Sequence, residues 1–247
     1  MSIDLNADVG EGADDTPIFP LVTSVSIACG AHAGDVETMR RCIAEAKRLD
    51  VLVGAHPGYP DRAGFGRQPM VMSDDALAVS LADQILALDG VAQESGLGVA
   101  HVKPHGALYN QAAVDPGLAS LVVDVVRTLD PTMRLIALAS SQMVAASRDA
   151  GLPVAAESFA DRRYLADGTL APRGTPGALI EDPATAAAQA LALAVGKPIQ
   201  TVDGGSLVID TDTICLHADT PGAAAIAHAV REALNGAGVE VAPLPRG

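Results

Sequence analysis

Tryptophan is absent, and Phe and Tyr together make up only 2% of the 247-residue chain. Its core must therefore be assembled from Ala, Val, Leu and Ile, without large rings to fill space. Cysteine is scarce too: Cys29, Cys42 and Cys215 are odd in number and lack CxxC spacing, which excludes a disulfide framework and fits a reducing cytoplasm. Basic residues number 16 against 30 acidic ones, a formal charge of −14 that argues against nucleic acid or an anionic membrane as partner. A small anionic substrate stays possible, because a few arginines reverse the field inside one cleft. No apolar run approaches the ~18 residues that span a bilayer. The N-terminal MSIDLNADVGEG has neither the basic nor the apolar part of a secretion signal, so a cytoplasmic protein is expected.

Familiar catalytic motifs are missing as well. Neither GxxxxGK followed by Ser or Thr nor GxGxxG occurs, so P-loop and dinucleotide fingerprints are absent. No GxSxG elbow offers a serine nucleophile, and no HExxH helix offers a zinc site.

What is present is an alternation of short apolar runs with helical patterns, in a chain that is 49% hydrophobic with no linker or low-complexity tract. One domain over residues 1–247 is expected. Strands are expected at Ile3–Asp8, Val25–Cys29, Val51–Ala55, Gly98–Lys103, Arg134–Ala139, Val154–Glu157 and Thr213–His217, most of them buried on both faces. Asp35 caps a helix through about Leu49, and Ser73 caps another that ends near Gly96. Gly151 and Gly196 stand where helices end. Asp115–Pro116, Asp182–Pro183 and Thr220–Pro221 each read as a cap followed by proline at the first helical position. The segment Gln200–Asp210 reads as an inserted hairpin turning at DGG. About seven β-then-α units predict an α/β fold whose parallel strands close into a barrel, with a doubly wound open sheet as the alternative.

In such folds the chemistry sits at the C-terminal ends of the strands. There the sequence delivers Asp4, Asn6 and Asp8; Cys29, His32 and Asp35; His56 and Asp61; His101, Lys103 and His105; Glu157, Asp161 and Arg162; His217 and Asp219. Five of the six histidines fall at these ends, and Lys103 is the one lysine embedded in an apolar strand. Burying so many ionisable groups is costly unless they serve a site. His101 lies lower on its strand and fits a buried hydrogen-bonding role. Two long loops share the rim: residues 56–70 carry Asp61, Arg62 and Arg67, and residues 160–177 carry Arg162, Arg163, Tyr164 and Arg173. Their guanidinium forks suit a carboxylate or phosphate. A metal could be assembled from separate strands, for example by Asp8, His32 and His56, a donor set for zinc or manganese. Cys29 reads as a small buried apolar residue rather than a nucleophile.

Five stretches go further. DLNADVGEG, IACGAHAGD, GAHPGYPDRAGFGR, VKPHGALYN and FADRRYLADGTLAPR resemble the LamB/YcsF family, in blocks that run from Asp4 to about Asp219. One departure is LHAD at 216–219, where Ala218 replaces the glycine of the family's His-Gly-Asp. The resemblance implies an irregular seven-stranded parallel (β/α) barrel of the glycoside hydrolase and deacetylase type. It also implies ATP-dependent opening of 5-oxo-L-proline to L-glutamate, in a complex with 5-oxoprolinase subunits B and C. ATP would be bound mainly by those partners, which phosphorylate the lactam oxygen, leaving hydrolysis of the activated ring to this chain. On that reading Asp8, or second Glu157, is general base; Lys103 stabilises phosphate or oxyanion charge; and His105 is general acid, in roles exchangeable with His56 or His217. Arg162 would take the substrate carboxylate, with His32, Asp161, Arg67 and Asp219 as further substrate-binding candidates. The competing readings are a stand-alone metal-dependent hydrolase of the deacetylase type and a non-catalytic scaffold subunit.

Overall fold

The computed structural model describes residues 1–217 and 222–245. Seven strands form the barrel wall: β1 (Ser2–Val9), β2 (Ser24–Ala28), β3 (Leu52–His56), β4 (His101–Val102), β5 (Arg134–Leu138), β6 (Val154–Phe159) and β9 (Thr213–His217). All neighbours are parallel, and the wall closes because β9 pairs with both β6 (Glu157↔Thr213) and β1 (Asp4↔Thr213). The barrel, not the open sheet, is therefore the architecture. Helices α1 (Val36–Leu49), α2 (Asp74–Glu94), α3 (Gly106–Val114), α4 (Pro116–Leu129), α5 (Gln142–Ala150), α6 (Pro183–Ala194) and α7 (Ala223–Gly236) connect or follow the strands. Among the described residues no helix is long and apolar enough to cross a membrane.

The caps act as their chemistry dictates. Asp35, Ser73, Asp115 and Asp182 accept hydrogen bonds from the first free amides of α1, α2, α4 and α6, and Pro116 and Pro183 open the last two. The Thr220–Pro221 start lies outside the described residues, as do Ala218 and Asp219. The inserted hairpin forms between β7 (Ile199–Gln200) and β8 (Ser206–Leu207), with Gly204 at φ +86° in its turn. Two features depart from expectation. Strand β4 is only His101–Val102, since Pro104 cannot continue a ladder; the Lys103 amide still donates to the Ala55 carbonyl at 2.9 Å. An eighth strand, β10 (Glu240–Val241), joins the outer edge of β1, although its two residues carry no strand-length pattern.

The strands alternate between two buried faces. Leu5, Ala7, Val9, Val25 and Ile27 pack into the apolar layer beneath the helices. The inward residues are polar. Low in the barrel, Asp4 accepts hydrogen bonds from Thr23 (2.7 Å), Ser24 (2.9 Å) and Thr213. Above them, Ser26 meets His101 Nε2 at 3.2 Å, and the imidazole lies over Gly54, where a Cβ would sit 2.0 Å from that nitrogen. Gly54 is thus the space that His101 occupies.

Candidate active site

The top of the barrel opens into a cavity of about 660 Å³ whose lining includes Asp8, His56, Lys103, His105, Arg162 and His217. Its size suits a small substrate. Lys103 is the centre of the floor. Its Nζ lies 2.8 Å from Asp8 Oδ1 and 2.7 Å from Glu157 Oε1, and donates to Asn6 Oδ1 (3.2 Å) and Cys215 Sγ (3.1 Å). Tyr109, on the first turns of α3, donates to the other Glu157 oxygen at 2.6 Å. Burial would strip the proton from Lys103, but Asp8 above all, with Cys215 and Glu157, outweighs it and holds the ammonium well above the ordinary lysine range.

The two carboxylates beside Lys103 are driven apart. Burial raises Asp8, but its neighbours His56 and Lys103 outweigh burial and bring it down to about 2. Burial dominates at Glu157, whose carboxyl stays above the usual range despite Lys103. Asp8 is 8% exposed and faces the cavity; Glu157 is 0% exposed and lies behind Lys103. Asp8 is therefore the carboxylate that the cavity reaches, whereas Glu157 holds Lys103 from behind. Environments that split two carboxylates in this way separate their chemical roles.

Beside this pair stands a cluster built from three strand-end histidines and Glu11. His56 Nδ1 donates to the Lys103 carbonyl at 2.7 Å, and His105 Nε2 donates to the Phe65 carbonyl at 2.9 Å. Their other nitrogens, His56 Nε2 and His105 Nδ1, face each other at 3.0 Å. Glu11 Oε1 lies 3.0 Å from His105 Nδ1, 3.1 Å from His32 Nε2 and 3.6 Å from His56 Nε2. His32 stacks on His105 with centroids 3.8 Å apart. The 56–70 loop reaches this cluster because α3 starts tightly against it. Gly106 has φ +57°, and a Cβ there would sit 2.6 Å from the Gly66 carbonyl.

On the far side, His217 Nδ1 is 2.9 Å from both oxygens of Asp161, and its ring stacks on Phe159. Arg162 is buried and lines the cavity; it donates through Nη2 to the Ala171 carbonyl at 2.7 Å. Among the described residues, Arg162 Nε has no hydrogen-bond partner. Burial, then the nearby Arg173, lowers its guanidinium to about 10. Arg67 also lines the cavity, its guanidinium 4.7 Å from the Phe65 ring centroid.

Most strand-end residues thus meet, but in roles the linear sequence cannot assign. Asp161 pairs with His217, and buried His32 stacks on His105; neither is among the residues that line the cavity. Of the Asp8–His32–His56 set, His32 and His56 fall into one group with Glu11 and His105, while Asp8 pairs with Lys103 and its Oδ2 lies 3.5 Å from His56 Nε2. Asp35 and Asp61 serve as a helix cap and a loop brace. Cys29 is a buried thiol that burial pushes up to about 12, which removes it as a nucleophile. Glu11 and Tyr109 escape the strand-end rule, and Phe159 ends β6 but has no polar group to single it out. Glu11 lies two residues beyond β1 and Tyr109 is on a helix; their one sequence signal is membership of the blocks DLNADVGEG and VKPHGALYN.

The LamB/YcsF family model matches residues 3–247. The chain is 48% identical to the A subunit of 5-oxoprolinase from Methylococcus capsulatus, covering 98% of this chain and 96% of that protein. It is 47% identical to the A subunit of 5-oxoprolinase from Heliobacterium modesticaldum, with 98% and 97% covered. Among solved structures it resembles the lactam utilization protein of Thermus thermophilus, with a TM-score of 0.93, 42% identity, and 99% and 100% of the two chains covered. A family 4 carbohydrate esterase from Streptomyces lividans shares the fold alone, with a TM-score of 0.52 at 9% identity over 99% and 93% of the chains.

Proposed function

Because this chain belongs to the LamB/YcsF family, we propose that it hydrolyses an activated 5-oxo-L-proline to L-glutamate, as one subunit of an ATP-dependent 5-oxoprolinase in the cytoplasm. Two relatives, matched over nearly their full length, are named as the A subunit of 5-oxoprolinase, which supports the assignment. The observation that carries it is the Asp8–Lys103–Glu157 array at the cavity floor, where an ionised carboxylate and a fixed cation stand side by side.

A lactam is a stable amide. Subunits B and C use ATP to place a phosphate on its oxygen, which makes the ring carbon a labile imidate. Water adds to that carbon while Asp8 takes its proton. Lys103 offsets the negative charge that grows on the oxygens. The tetrahedral adduct then has two exits. Loss of phosphate regenerates the lactam, whereas cleavage of the C–N bond opens the ring, so protonation of the ring nitrogen decides the outcome. His217, held by Asp161 at Nδ1, supplies that proton, and the product is an acyl phosphate that a second water hydrolyses to glutamate and phosphate. Arg162 takes the substrate carboxylate, and Arg67 and Arg173 on the facing loops take the phosphate.

The test combines this chain with subunits B and C, 5-oxo-L-proline and ATP, and follows glutamate and phosphate separately. Glutamate is expected only when the chain is present, and Lys103→Met abolishes it. Glutamate formed without the chain would overturn the assignment, and full turnover by Lys103→Met would make the chain a scaffold.

A further inference from the structure

Two imidazoles in this protein point lone pairs at one another. A backbone carbonyl only accepts, so His56 Nδ1 and His105 Nε2, bonded to the Lys103 and Phe65 carbonyls, both carry hydrogens. In the neutral rings the opposite nitrogens are then bare acceptors, and these stand 3.0 Å apart with the Glu11 carboxylate beside them. Three acceptors facing each other repel unless a positive centre lies among them. One proton on His105 Nδ1 can point at Glu11 or at His56, not at both. A cation satisfies all three together.

We propose that His56 Nε2, His105 Nδ1 and a carboxylate oxygen of Glu11 form a binding site for one divalent transition-metal ion of the zinc type. The spacing fits. Zinc bonds of about 2.0–2.1 Å in tetrahedral geometry place ligand atoms about 3.3 Å apart, and these three stand 3.0, 3.0 and 3.6 Å from one another. The support is also of the kind metal ligands have. Each histidine is oriented by a carbonyl on its far nitrogen, which fixes the coordinating nitrogen. His32 belongs to the same cluster and acts as a positioning residue: it reaches Glu11 Oε1 at 3.1 Å and stacks face to face on His105. His56, His105 and Glu11 line the cavity while His32 does not, which leaves the fourth position open toward substrate and close to Asp8, whose Oδ2 is 3.5 Å from His56 Nε2. An ion held by three protein ligands with one open position polarises an oxygen or activates a bound water. Imidazole and carboxylate together select zinc, cobalt or manganese over calcium or magnesium.

The site is independent of the substrate assignment and is tested without it. The full chain, stripped with a chelator, is titrated with zinc by calorimetry and with cobalt by visible absorption. Expected are one ion per chain, a tetrahedral cobalt spectrum and a zinc-dependent rise in Tm. Glu11→Gln, His56→Gln and His105→Gln abolish tight binding; His32→Ala weakens it by roughly 10- to 100-fold, as loss of an outer partner does; and His228→Ala, on the exposed face of α7, leaves it unchanged. Should a variant not fold, nitrogen-15 shifts of the wild-type histidines decide, because zinc must perturb His56 Nε2 and His105 Nδ1 and leave His101 unmoved. A stripped chain that takes up no zinc, shows a protonated His105 instead, or retains one tight ion in folded His105→Gln overturns the proposal.

Discussion

The two faces of the barrel wall are equally dry and chemically opposite. On β1, Leu5 and Asn6 are both 0% exposed, yet Leu5 points into an apolar layer and Asn6 into a column of carboxylates, hydroxyls, imidazoles and one ammonium. The outer face holds the helices on by burial of apolar surface. The inner face carries charge that is tolerable only because each group is paired. Burial therefore does not separate structure from function here; the partners do. Low in the barrel Asp4 is surrounded by three hydroxyl donors, which makes a closed structural network. Higher up, Asp8, His56, His105 and His217 keep one side turned to the cavity.

The sharpest way to break this contrast is at Lys103. Lys103→Met leaves Asp8 and Glu157 as buried carboxylates without their cation, and should destabilise the fold by about 3–5 kcal/mol as well as abolish glutamate formation. Urea unfolding and the reconstituted glutamate assay check the two halves separately. On the outer face, Leu5→Ala should cost about 2–5 kcal/mol through a cavity, while the turnover of the folded fraction stays that of the parent. Lost activity in folded Leu5→Ala would show that the two faces are not separable.

A third expectation concerns acid. Burial, helped by the Lys103 charge, lowers His101 to about 3, so the folded protein takes up no proton there above that pH. The unfolded chain takes one up near 6.5. Stability from the neutral buried ring is therefore present above about pH 6.5 and declines as pH falls toward 3, by about 2–3 kcal/mol between about pH 6 and pH 4. Outer-face residues contribute no such slope. His101→Asn should flatten the pH dependence of the urea midpoint, and an unchanged slope would remove His101 as its source.

The outer face is also the part that the sequence makes legible. Runs such as Val25–Cys29 and Thr213–His217 announce strands because their outward residues are apolar and their inward neighbours are few, and Asp35, Ser73 and Asp115 mark helix starts through local chemistry. Strand-end parity likewise brings Lys103, His56 and Asp8 to one rim. What parity cannot convey is three-dimensional partnering. Asp161 pairs with His217 across 56 residues, and Tyr109 reaches Glu157 from a helix. Glu11 enters from a bend beyond its strand, where no periodicity operates. Strand β10 depends on the edge of β1 rather than on its own two residues, so no local signal could announce it.

The smallest effects sharpen the comparison most, since they come from adjacent residues of one strand. Ser26 and Ile27 are both buried in β2, with Ser26 turned to His101 and Ile27 to the helices. Ile27→Val removes one methylene and should cost about 1 kcal/mol by lost packing, with no change in the pH dependence. Ser26→Ala removes no more bulk than one hydroxyl, yet it leaves His101 Nε2 buried without its partner, for about 1–3 kcal/mol. The distinction between them lies in rescue. In the His101→Asn background the Ser26 penalty should change, because the two side chains form one interaction, whereas the Ile27 penalty should add unchanged. A double-mutant cycle by urea unfolding measures both. If both cycles were additive, the inner column would be a stack of independent polar groups, and the partner-based distinction between the two faces would fail at the Ser26–His101 layer.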